Sequence, residues 1–364
     1  MMIPNRQKII IIGPEGTDIS LFIAFISLHI LSWATLFNVS GTFSLDISNP
    51  LTRQMSFSLL ALVLFFLMSY FSLDLIQSLC PLLYTISISL LVLLLFTEPN
   101  YGVRRWFSFG ILDFQPSEFA KVINVLFVAY LLSRTSLPKY YSFLSIALTC
   151  LLIYQQPDLG TVLIIAITYF IIMFTSNIST LSILSTTFIS ICSFFALIQF
   201  NLMPDYQIGR ITNFISGFGI GDFSQQQSRL AISSGGLTGR ASQSMDQYGA
   251  IFVPVKTTDF IFSSFAESFG LIGILFLVSI WFFLFYKIYV NIKLGKDLFS
   301  KFALVGIFSL LCVQMLLNIG ISIGFLPVTG LPFPLLSLGG SAISANAITF
   351  GLLNRFFIEN RLYR

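Results

Sequence analysis

Charge is scarce in this sequence. Only 9% of the 364 residues are Asp, Glu, Lys or Arg, whereas about 25% is typical of a soluble domain. Apolar residues make up 56% of the chain, 41 residues are phenylalanine, and the mean hydropathy is +0.90. A soluble protein is therefore excluded, and the sequence predicts a polytopic integral membrane protein.

Histidine is almost absent and cysteine is sparse. His29 is the single histidine, so neither a histidine-based zinc cluster nor a Ser-His-Asp relay has enough members. The four cysteines fall within apolar runs and lack the spacing of a metal knuckle or a disulfide framework. The net charge of +4 is too small to indicate binding of nucleic acid.

Apolar runs that approach the ~20 residues needed to cross a bilayer predict ten spans. They are residues 19–39, 54–71, 75–96, 117–132, 143–154, 159–174, 181–200, 260–286, 302–320 and 341–357. The expected architecture is an all-α membrane protein with a single domain over residues 1–364. A long outer loop, residues 201–258, joins the seventh and eighth spans.

The basic residues predict the orientation of this bundle. An even number of spans places both termini on one side, and cytoplasmic segments are enriched in Lys and Arg. With the termini inside, eleven of the nineteen basic residues fall on the inner side, mostly beside span ends. Both termini are therefore expected in the cytoplasm.

Eight basic residues remain on or near the outer face. They are Arg53, Arg104, Arg105, Lys121, Arg210, Arg229, Arg240 and Lys256. Because basic residues resist translocation, their number suggests an anionic ligand at the outer membrane surface. The alternative is that these side chains reach lipid phosphates at the interface.

The outer loop, residues 201–258, carries four of these cations. A loop of this length in a compact bundle is usually functional or disordered. Residues 228–237 predict a short helix lying at the membrane interface. No strong internal repeat is evident, which weakly disfavours a transporter.

Polar residues stand at the starts of the fourth and sixth spans. Glu118 and Lys121 are three residues apart on a predicted helix and share a face near the membrane boundary. They form either a structural ion pair or part of a ligand site. Asp158, in a Gln-Pro-Asp-Leu-Gly break, either caps the sixth helix or joins the same site.

Two carboxylates mark the entry to the eighth span. Asp259 follows Lys256 by three residues and precedes aromatic residues. Apolar surroundings raise a carboxyl pKa and a nearby cation lowers it, and an intermediate value suits a general base. A helix N-cap is the alternative role. Glu267, deeper in the span, is expected to face the bundle interior and to have a partner.

Proline and glycine interrupt the backbone before the last span. Residues 326–341 contain three prolines and several glycines at membrane depth, which forbid a continuous helix. This backbone is therefore expected to line a cavity or to be buried in protein. Gln314 and Asn318, four residues apart on the preceding helix, are placed to satisfy some of its polar groups.

Together these segments resemble the SEDS family of bacterial membrane proteins, named for shape, elongation, division and sporulation. The resemblance rests on GVRRW with QPSEFAK, QPDLGT, QSRLAISSGGLTG, TTDFIF with a following glutamate, and LPVTGLPFPLLSLGGS, in family order. It runs from about the third span to the C-terminus. The Pro-Val-Thr-Gly and Gln-Pro-Asp-Leu-Gly forms resemble the elongation branch rather than the division branch.

The resemblance implies a peptidoglycan glycosyltransferase of the bacterial cytoplasmic (inner) membrane. Such an enzyme polymerises lipid II, an undecaprenyl-pyrophosphate-linked disaccharide-pentapeptide, on the outer face of that membrane. It works with a class B penicillin-binding protein, the transpeptidase. Membrane lipids and other elongation-complex proteins are the further expected partners.

The resemblance also assigns roles to residues. It makes Asp259 the catalytic group, and Glu118, Lys121, Asp158 and Arg210 match functionally sensitive positions. Arg104 and Lys256 complete the expected substrate-binding residues.

Two positions depart from the family pattern. Thr257 stands where the family often has histidine, which removes a possible second titrating group beside Asp259. Leu338 stands where the family often has tyrosine.

Transfer from an α-linked glycosyl pyrophosphate to a β-1,4 bond inverts the anomeric carbon, so one displacement suffices. We expect Asp259 to take the proton of the acceptor 4-hydroxyl while Lys121, Arg210 or other outer cations hold the departing pyrophosphate. The resemblance makes Mg²⁺ or Mn²⁺ an expected cofactor, although no ligand spacing indicates a metal. The rival hypotheses are a lipid II flippase or transporter, a division-type polymerase, and a noncatalytic scaffold for the transpeptidase.

Overall fold

The computed structural model describes residues 16–41, 44–46, 48–99, 103–110, 112–134, 136–176, 178–199, 208–210, 212, 223–240, 253–295 and 297–362. Its helices are α1 Ile19–Ser40, α2 Pro50–Tyr70, α3 Leu73–Leu94, α4 Pro116–Ser133, α5 Tyr140–Gln155, α6 Leu159–Thr175, α7 Thr180–Gln199, α8 Phe223–Ser234, α9 Ile261–Leu294, α10 Leu298–Ile323 and α11 Gly340–Leu362. Each of the ten predicted spans coincides with a helix. The predicted all-α, multi-pass membrane fold is confirmed.

Buried and lipid-facing helices differ in how much of their surface is covered. In α4 and α10, 72% of the most apolar window is buried, against 28% in α2 and 22% in α3. The strongest helix contacts join α2 to α11, and α10 to α4 and α6. The bundle therefore has α4 and α10 at its centre and leaves broad apolar faces on α2 and α3 for lipid.

A short antiparallel hairpin precedes α4, and the sequence did not predict it. Strand β1, Phe107–Phe109, pairs with β2, Leu112–Phe114, so that Ser108 faces Asp113. Gly110 turns the chain with φ +74°, a conformation that glycine adopts without steric cost. The hairpin delivers the chain from Arg105 to the start of α4.

Helix α9 is 34 residues long and is interrupted at Gly270, where φ is +62° and ψ is −162°. At 1.5 Å per residue, an unbroken helix of this length would span roughly 50 Å, more than a ~30 Å hydrocarbon core. The turn that follows α8 satisfies the freed backbone groups: the amides of Leu271 and Ile272 donate to the carbonyls of Gly236 and Leu237 at 2.9 and 3.1 Å.

Helix α8 begins five residues earlier than predicted. The sequence favoured residues 228–237, whereas the helix covers Phe223–Ser234. It ends there because Gly235 packs directly on the α9 backbone, where a Cβ would lie 2.1 Å from the Ala266 carbonyl oxygen. Much of the predicted 201–258 loop lies outside the described residues.

The two ends of the bundle carry different charged groups. At one end, Asp18, Lys287 and Arg361 join α1, α9 and α11; we call this the Asp18 end. Asp259 precedes the start of α9, 28 residues from Lys287 along the chain, which is about 40 Å in a helix. The end that contains Asp259 is called the Asp259 end.

Candidate functional site

Asp259 lies in a series of turns that lead into α9. The N-cap of α9 is Phe260, and no side chain makes the cap hydrogen bond. The N-cap alternative for Asp259 is therefore wrong. Asp259 is half-buried as a residue, and its carboxyl group receives a hydrogen bond from the Thr258 side chain. The acid is thus available for a role other than capping.

The broken segment before α11 packs against Asp259. Gly330 has φ +71°, and a Cβ built there would lie 3.3 Å from Asp259 Oδ2. Gln314 Nε2 donates to the Pro332 carbonyl at 3.0 Å, and Asn318 Nδ2 donates to the Leu331 carbonyl at 2.6 Å. The predicted role of both amides in satisfying this backbone is confirmed.

The backbone that carries Asp259 is held at three consecutive carbonyls. The Leu338 amide donates to the Thr257 carbonyl at 2.9 Å, and Ser337 Oγ donates to the Thr258 carbonyl at 2.6 Å. Asn318 Nδ2 also donates to the Asp259 carbonyl at 2.9 Å. The main chain of Asp259 is therefore fixed by hydrogen bonds that do not use its carboxyl group.

Burial raises the pKa of Asp259 above its ordinary value of 3.8. The Thr258 hydrogen bond and the positive charges of Arg210 and Arg105 oppose that rise, and the negative charge of Asp158 adds to it. A raised pKa brings a carboxylate closer to the range in which it accepts a proton efficiently. The site thus combines one acid with two nearby guanidinium groups.

Arg105 and Asp158 are brought to the site by the turn between α5 and α6. Arg105 donates to the carbonyls of Gln156, at 3.1 Å, and Pro157. Asp158 caps α6, because its carboxylate accepts from the Thr161 amide at 3.3 Å and from the Thr161 hydroxyl at 2.9 Å. The capping prediction for Asp158 is confirmed, and its charge also acts on Asp259.

This turn packs against the broken segment. A Cβ at Gly160 would lie 2.8 Å from the Leu331 side chain and 3.2 Å from Thr329. The start of α6 and residues 329–331 are therefore in close contact, which explains why Asp158 and Asp259 affect one another.

The remaining predicted cations are distributed around this centre. Arg210 is exposed and donates to the Val328 carbonyl at 3.2 Å. Arg104 is exposed and donates to the Leu95 carbonyl at 2.9 Å, and Lys256 is half-buried in the turn before Asp259. The structure brings Asp259, Asp158 and Arg210 together, and it adds Arg105, which the sequence had not singled out from the other outer cations.

Glu118 and Lys121 form a buried ion pair in α4. Lys121 Nζ lies 2.9 Å from Glu118 Oε1, and both side chains are no more than 3% exposed. Lys121 also borders a small cavity of about 10 Å³ among α4, α5, α6 and α10, about the room one water needs. The pair is not among the charges that shift Asp259. This geometry favours the structural alternative for the pair.

Glu267 has the partner that the sequence required but left unnamed. Arg240 Nη1 lies 3.6 Å from Glu267 Oε1, and the Arg240 amide donates to the Glu267 carbonyl at 2.9 Å. This pair joins the turn after α8 to the first part of α9, so it stabilises the interrupted helix rather than the acid at its entrance.

In the part of the chain that the structure describes, no three Asp, Glu, His or Cys side chains gather as a metal-binding cluster. Asp158 directs both carboxylate oxygens to Thr161 at the start of α6, whereas Asp259 is not committed to a helix cap. A cation at this site would therefore take Asp259 as its protein ligand and complete its coordination with substrate oxygens and water.

Comparisons with known proteins agree on one family. The model of the cell cycle protein family of FtsW, RodA and SpoVE matches residues 18–362. Peptidoglycan glycosyltransferase MrdB of Escherichia coli K12 is 32% identical over 346 residues, which cover 92% of this chain and 92% of that protein.

Two solved structures resemble the fold over nearly its whole length. One chain, from a study of how a peptidoglycan synthase complex coordinates polymerization and crosslinking, has a TM-score of 0.76 and 28% identity and covers 94% of this chain and 98% of its own. The rod shape determining protein RodA of Thermus thermophilus has a TM-score of 0.69 and 26% identity, with 95% and 97% covered.

Proposed function

Since the chain belongs to the FtsW, RodA and SpoVE family of cell cycle proteins, we propose that it is a peptidoglycan glycosyltransferase that polymerises lipid II during cell elongation. The name of the Escherichia coli relative supports the reaction, and the rod-shape role of the Thermus thermophilus relative supports elongation. The reaction is an inverting transfer that releases undecaprenyl pyrophosphate.

Asp259 is the proposed general base. The acceptor sugar is activated when its 4-hydroxyl transfers a proton to the Asp259 carboxylate as its oxygen attacks the anomeric carbon of the donor. Inversion needs one displacement and no covalent glycosyl-enzyme. A carboxylate with a fixed backbone, partial exposure and a raised pKa suits this step.

Arg105 and Arg210 are the proposed stabilisers of the departing pyrophosphate. Both act electrostatically on Asp259, and their positive charge would also reach a pyrophosphate that departs from the opposite face of the donor sugar, as inversion requires. Positive groups that are already in place when negative charge develops lower the barrier more than groups that must reorganise. Arg104 and Lys256, on the surrounding surface, are proposed to guide the same anion.

A divalent cation, Mg²⁺ or Mn²⁺, is a compatible cofactor. As a ligand of such an ion, with substrate oxygens and water completing the coordination, Asp259 would act in place of its role as base and not in addition to it. When bound, such an ion neutralises charge on a leaving pyrophosphate.

A class B penicillin-binding protein is the proposed partner, with membrane lipids and other elongation-complex proteins around it. The structural neighbour from a peptidoglycan synthase complex supports an assembly that joins polymerisation to crosslinking. The proposed location is the bacterial inner membrane, with both termini in the cytoplasm and Asp259 on the outer side. The distribution of basic residues supports this orientation.

The observation that carries the proposal is Asp259, half-buried at one end of a membrane bundle, with its backbone fixed at three carbonyls and its carboxyl group under the electrostatic influence of Arg105 and Arg210. The test is to reconstitute the purified protein in vesicles with labelled lipid II, with and without the transpeptidase. The proposal expects glycan polymer with intact protein and none with Asp259→Asn. Transbilayer movement without polymer would identify a flippase, and neither activity would identify a scaffold.

A further inference from the structure

One buried hydroxyl connects the broken segment to the backbone of the candidate base. Ser337 Oγ accepts a hydrogen bond from the Phe333 amide at 2.8 Å and donates one to the Thr258 carbonyl at 2.6 Å. Ser337 is only 2% exposed, so it does not reach a substrate in the site. Its two hydrogen bonds join a turn of residues 333–337 to the residue before Asp259.

This turn contains a strained residue. Leu335 has φ +60°, a left-handed conformation that is costly for a residue with a branched side chain and persists only when its surroundings enforce it. The Ser337 hydroxyl closes the turn from inside, through Phe333. The position of the Thr258 carbonyl therefore depends on a turn that must itself be held in place.

Helices α1 and α2 hold this turn from outside. Ser32 Oγ donates to the Leu336 carbonyl at 2.7 Å, and Gln54 Nε2 donates to Ser32 Oγ at 2.7 Å. Both side chains are 0% exposed. Hydrogen bonds thus connect Gln54 in α2 to Ser32 in α1 and Ser32 to the turn. This turn binds the Thr258 carbonyl through Ser337.

We propose that Ser337 and Ser32 are positioning residues for Asp259, acting through the Thr258 carbonyl and the 333–337 turn. The inference rests on the proposed function, because it concerns the geometry of the proposed base. A displacement of about 1 Å at a reacting group can cost about 100-fold in rate. Loss of either hydroxyl lets the base shift relative to the acceptor without changing any group that touches lipid II.

The test compares four variants of the full-length protein in the lipid II polymerisation assay. We expect Ser337→Ala to lower kcat about 10- to 100-fold, with KM for lipid II within about twofold of the wild type. Ser337→Thr keeps the hydroxyl and restores most of kcat. Ser32→Ala, one step further away, lowers kcat by a smaller factor, again at constant KM.

Thr35→Val is the matched control on α1. Thr35 is also fully buried, but its hydroxyl donates to the Leu31 carbonyl of its own helix at 2.7 Å. Removing that hydroxyl changes a buried polar group without removing a hydrogen bond to the turn, so kcat stays near the wild-type value. Thermal unfolding of all four variants shows whether a loss of activity is a loss of fold.

Three results overturn the inference: normal kcat in Ser337→Ala, an equal loss in Thr35→Val, or no rescue by a Ser337→Thr variant that is as stable as the wild type. If Ser337→Ala does not fold, the decision passes to Ser32→Ala, and unfolding of both would make these residues structural. Failure of the proposed function looks different, since the wild-type protein itself would then make no polymer.

Discussion

Two aspartates, one at each end of the bundle, show how the same side chain is used in opposite ways. Asp18 is fully buried, accepts hydrogen bonds from Lys287, Arg361, Ser20 and the Leu21 amide, and caps α1. Burial alone would raise its pKa, but the hydrogen bonds from Lys287, the Leu21 amide and Ser20, with the positive charge of Lys287, lower it below 3.8. Its carboxylate is saturated, as expected of a structural group.

Asp259 has the reverse arrangement. Hydrogen bonds are concentrated on its backbone and on the two carbonyls before it, while its carboxyl group receives a hydrogen bond from Thr258 alone among the described residues and its pKa is raised by burial. A saturated carboxylate stabilises a fold, whereas one with a fixed backbone and spare acceptor capacity is suited to proton transfer. The difference between these two aspartates is the main argument for the site.

The largest expected effect is the loss of activity in Asp259→Asn. Removal of a positioned base lowers the rate roughly 100- to 10,000-fold, while the fold stays intact because the backbone hydrogen bonds remain. Polymer formation and lipid II binding by the purified variant measure this. Asp113→Asn, at an exposed position on β2, is the control. Near-normal synthesis by Asp259→Asn would reject the assignment of the base.

Asp18→Asn tests the structural role of the second aspartate and should lower the free energy of unfolding without lowering the rate of polymerisation by the folded protein. It leaves Lys287, only 17% exposed, without its carboxylate partner, and breaking such a pair typically costs roughly 3–5 kcal/mol. Because the folded pKa is lowered, the stabilisation persists above the unfolded pKa and is lost only as pH falls through the lower folded value.

Unfolding in detergent at pH 7, where the stabilisation is fully present, and below pH 3.8, where it is being lost, measures this effect. The exposed Asp74 on α3 provides a control, Asp74→Asn, that should change stability by less than about 0.5 kcal/mol. If Asp18→Asn is as stable as this control, the ion pairs of the Asp18 carboxylate contribute little to the stability of the fold. Asp18 would then no longer serve as the structural counterpart of Asp259.

Lys121→Ala sharpens the comparison for the buried pair in α4. It leaves Glu118 without a cation and should destabilise the protein by roughly 3 kcal/mol, whereas the double variant Glu118→Gln with Lys121→Met should recover most of that loss. Unfolding measurements test the prediction. If the folded double variant polymerises lipid II, the pair is structural; if it folds but stays inactive, Lys121 also serves the substrate.

The smallest effect is expected for Glu267→Gln. Its partner Arg240 lies 3.6 Å away and both side chains are partly exposed, so loss of the pair should cost less than about 1 kcal/mol. The backbone hydrogen bond from Arg240 is unchanged by the substitution. A loss of stability as large as that of Asp18→Asn would show that the break in α9 depends on this side chain.

Helix positions could be predicted from the sequence because long apolar runs allow few alternatives in a membrane. The roles of Gln314 and Asn318 could also be predicted from the sequence, because a non-helical backbone at membrane depth needs polar side chains to satisfy its hydrogen-bonding groups. The β1–β2 hairpin did not follow, because two three-residue strands leave no periodic signal. The end of α8 was misplaced because the close approach of Gly235 to Ala266 is a tertiary contact.

The candidate site was only partly predictable for the same reason. Asp259 stands out by its place at the start of a span, but the hydrogen bonds to its carbonyl and to the two carbonyls before it come from Asn318, Ser337 and Leu338, nearly 60 to 80 residues away in sequence. Arg105 was one cation among eight until the fold placed its charge near Asp259.

The pH dependence of kcat/KM for lipid II polymerisation, in wild type and Arg210→Gln, tests the role of Asp259 most directly. A base whose pKa is raised above 3.8 loses activity as pH falls through that higher value, which gives the pH profile of kcat/KM an acid limb. Because the positive charge of Arg210 lowers the pKa of Asp259, removal of Arg210 should move this acid limb to still higher pH. Arg229→Gln, at a side chain packed against Gly324, is the control and should leave the limb in place. An identical acid limb in wild type and Arg210→Gln would contradict the account.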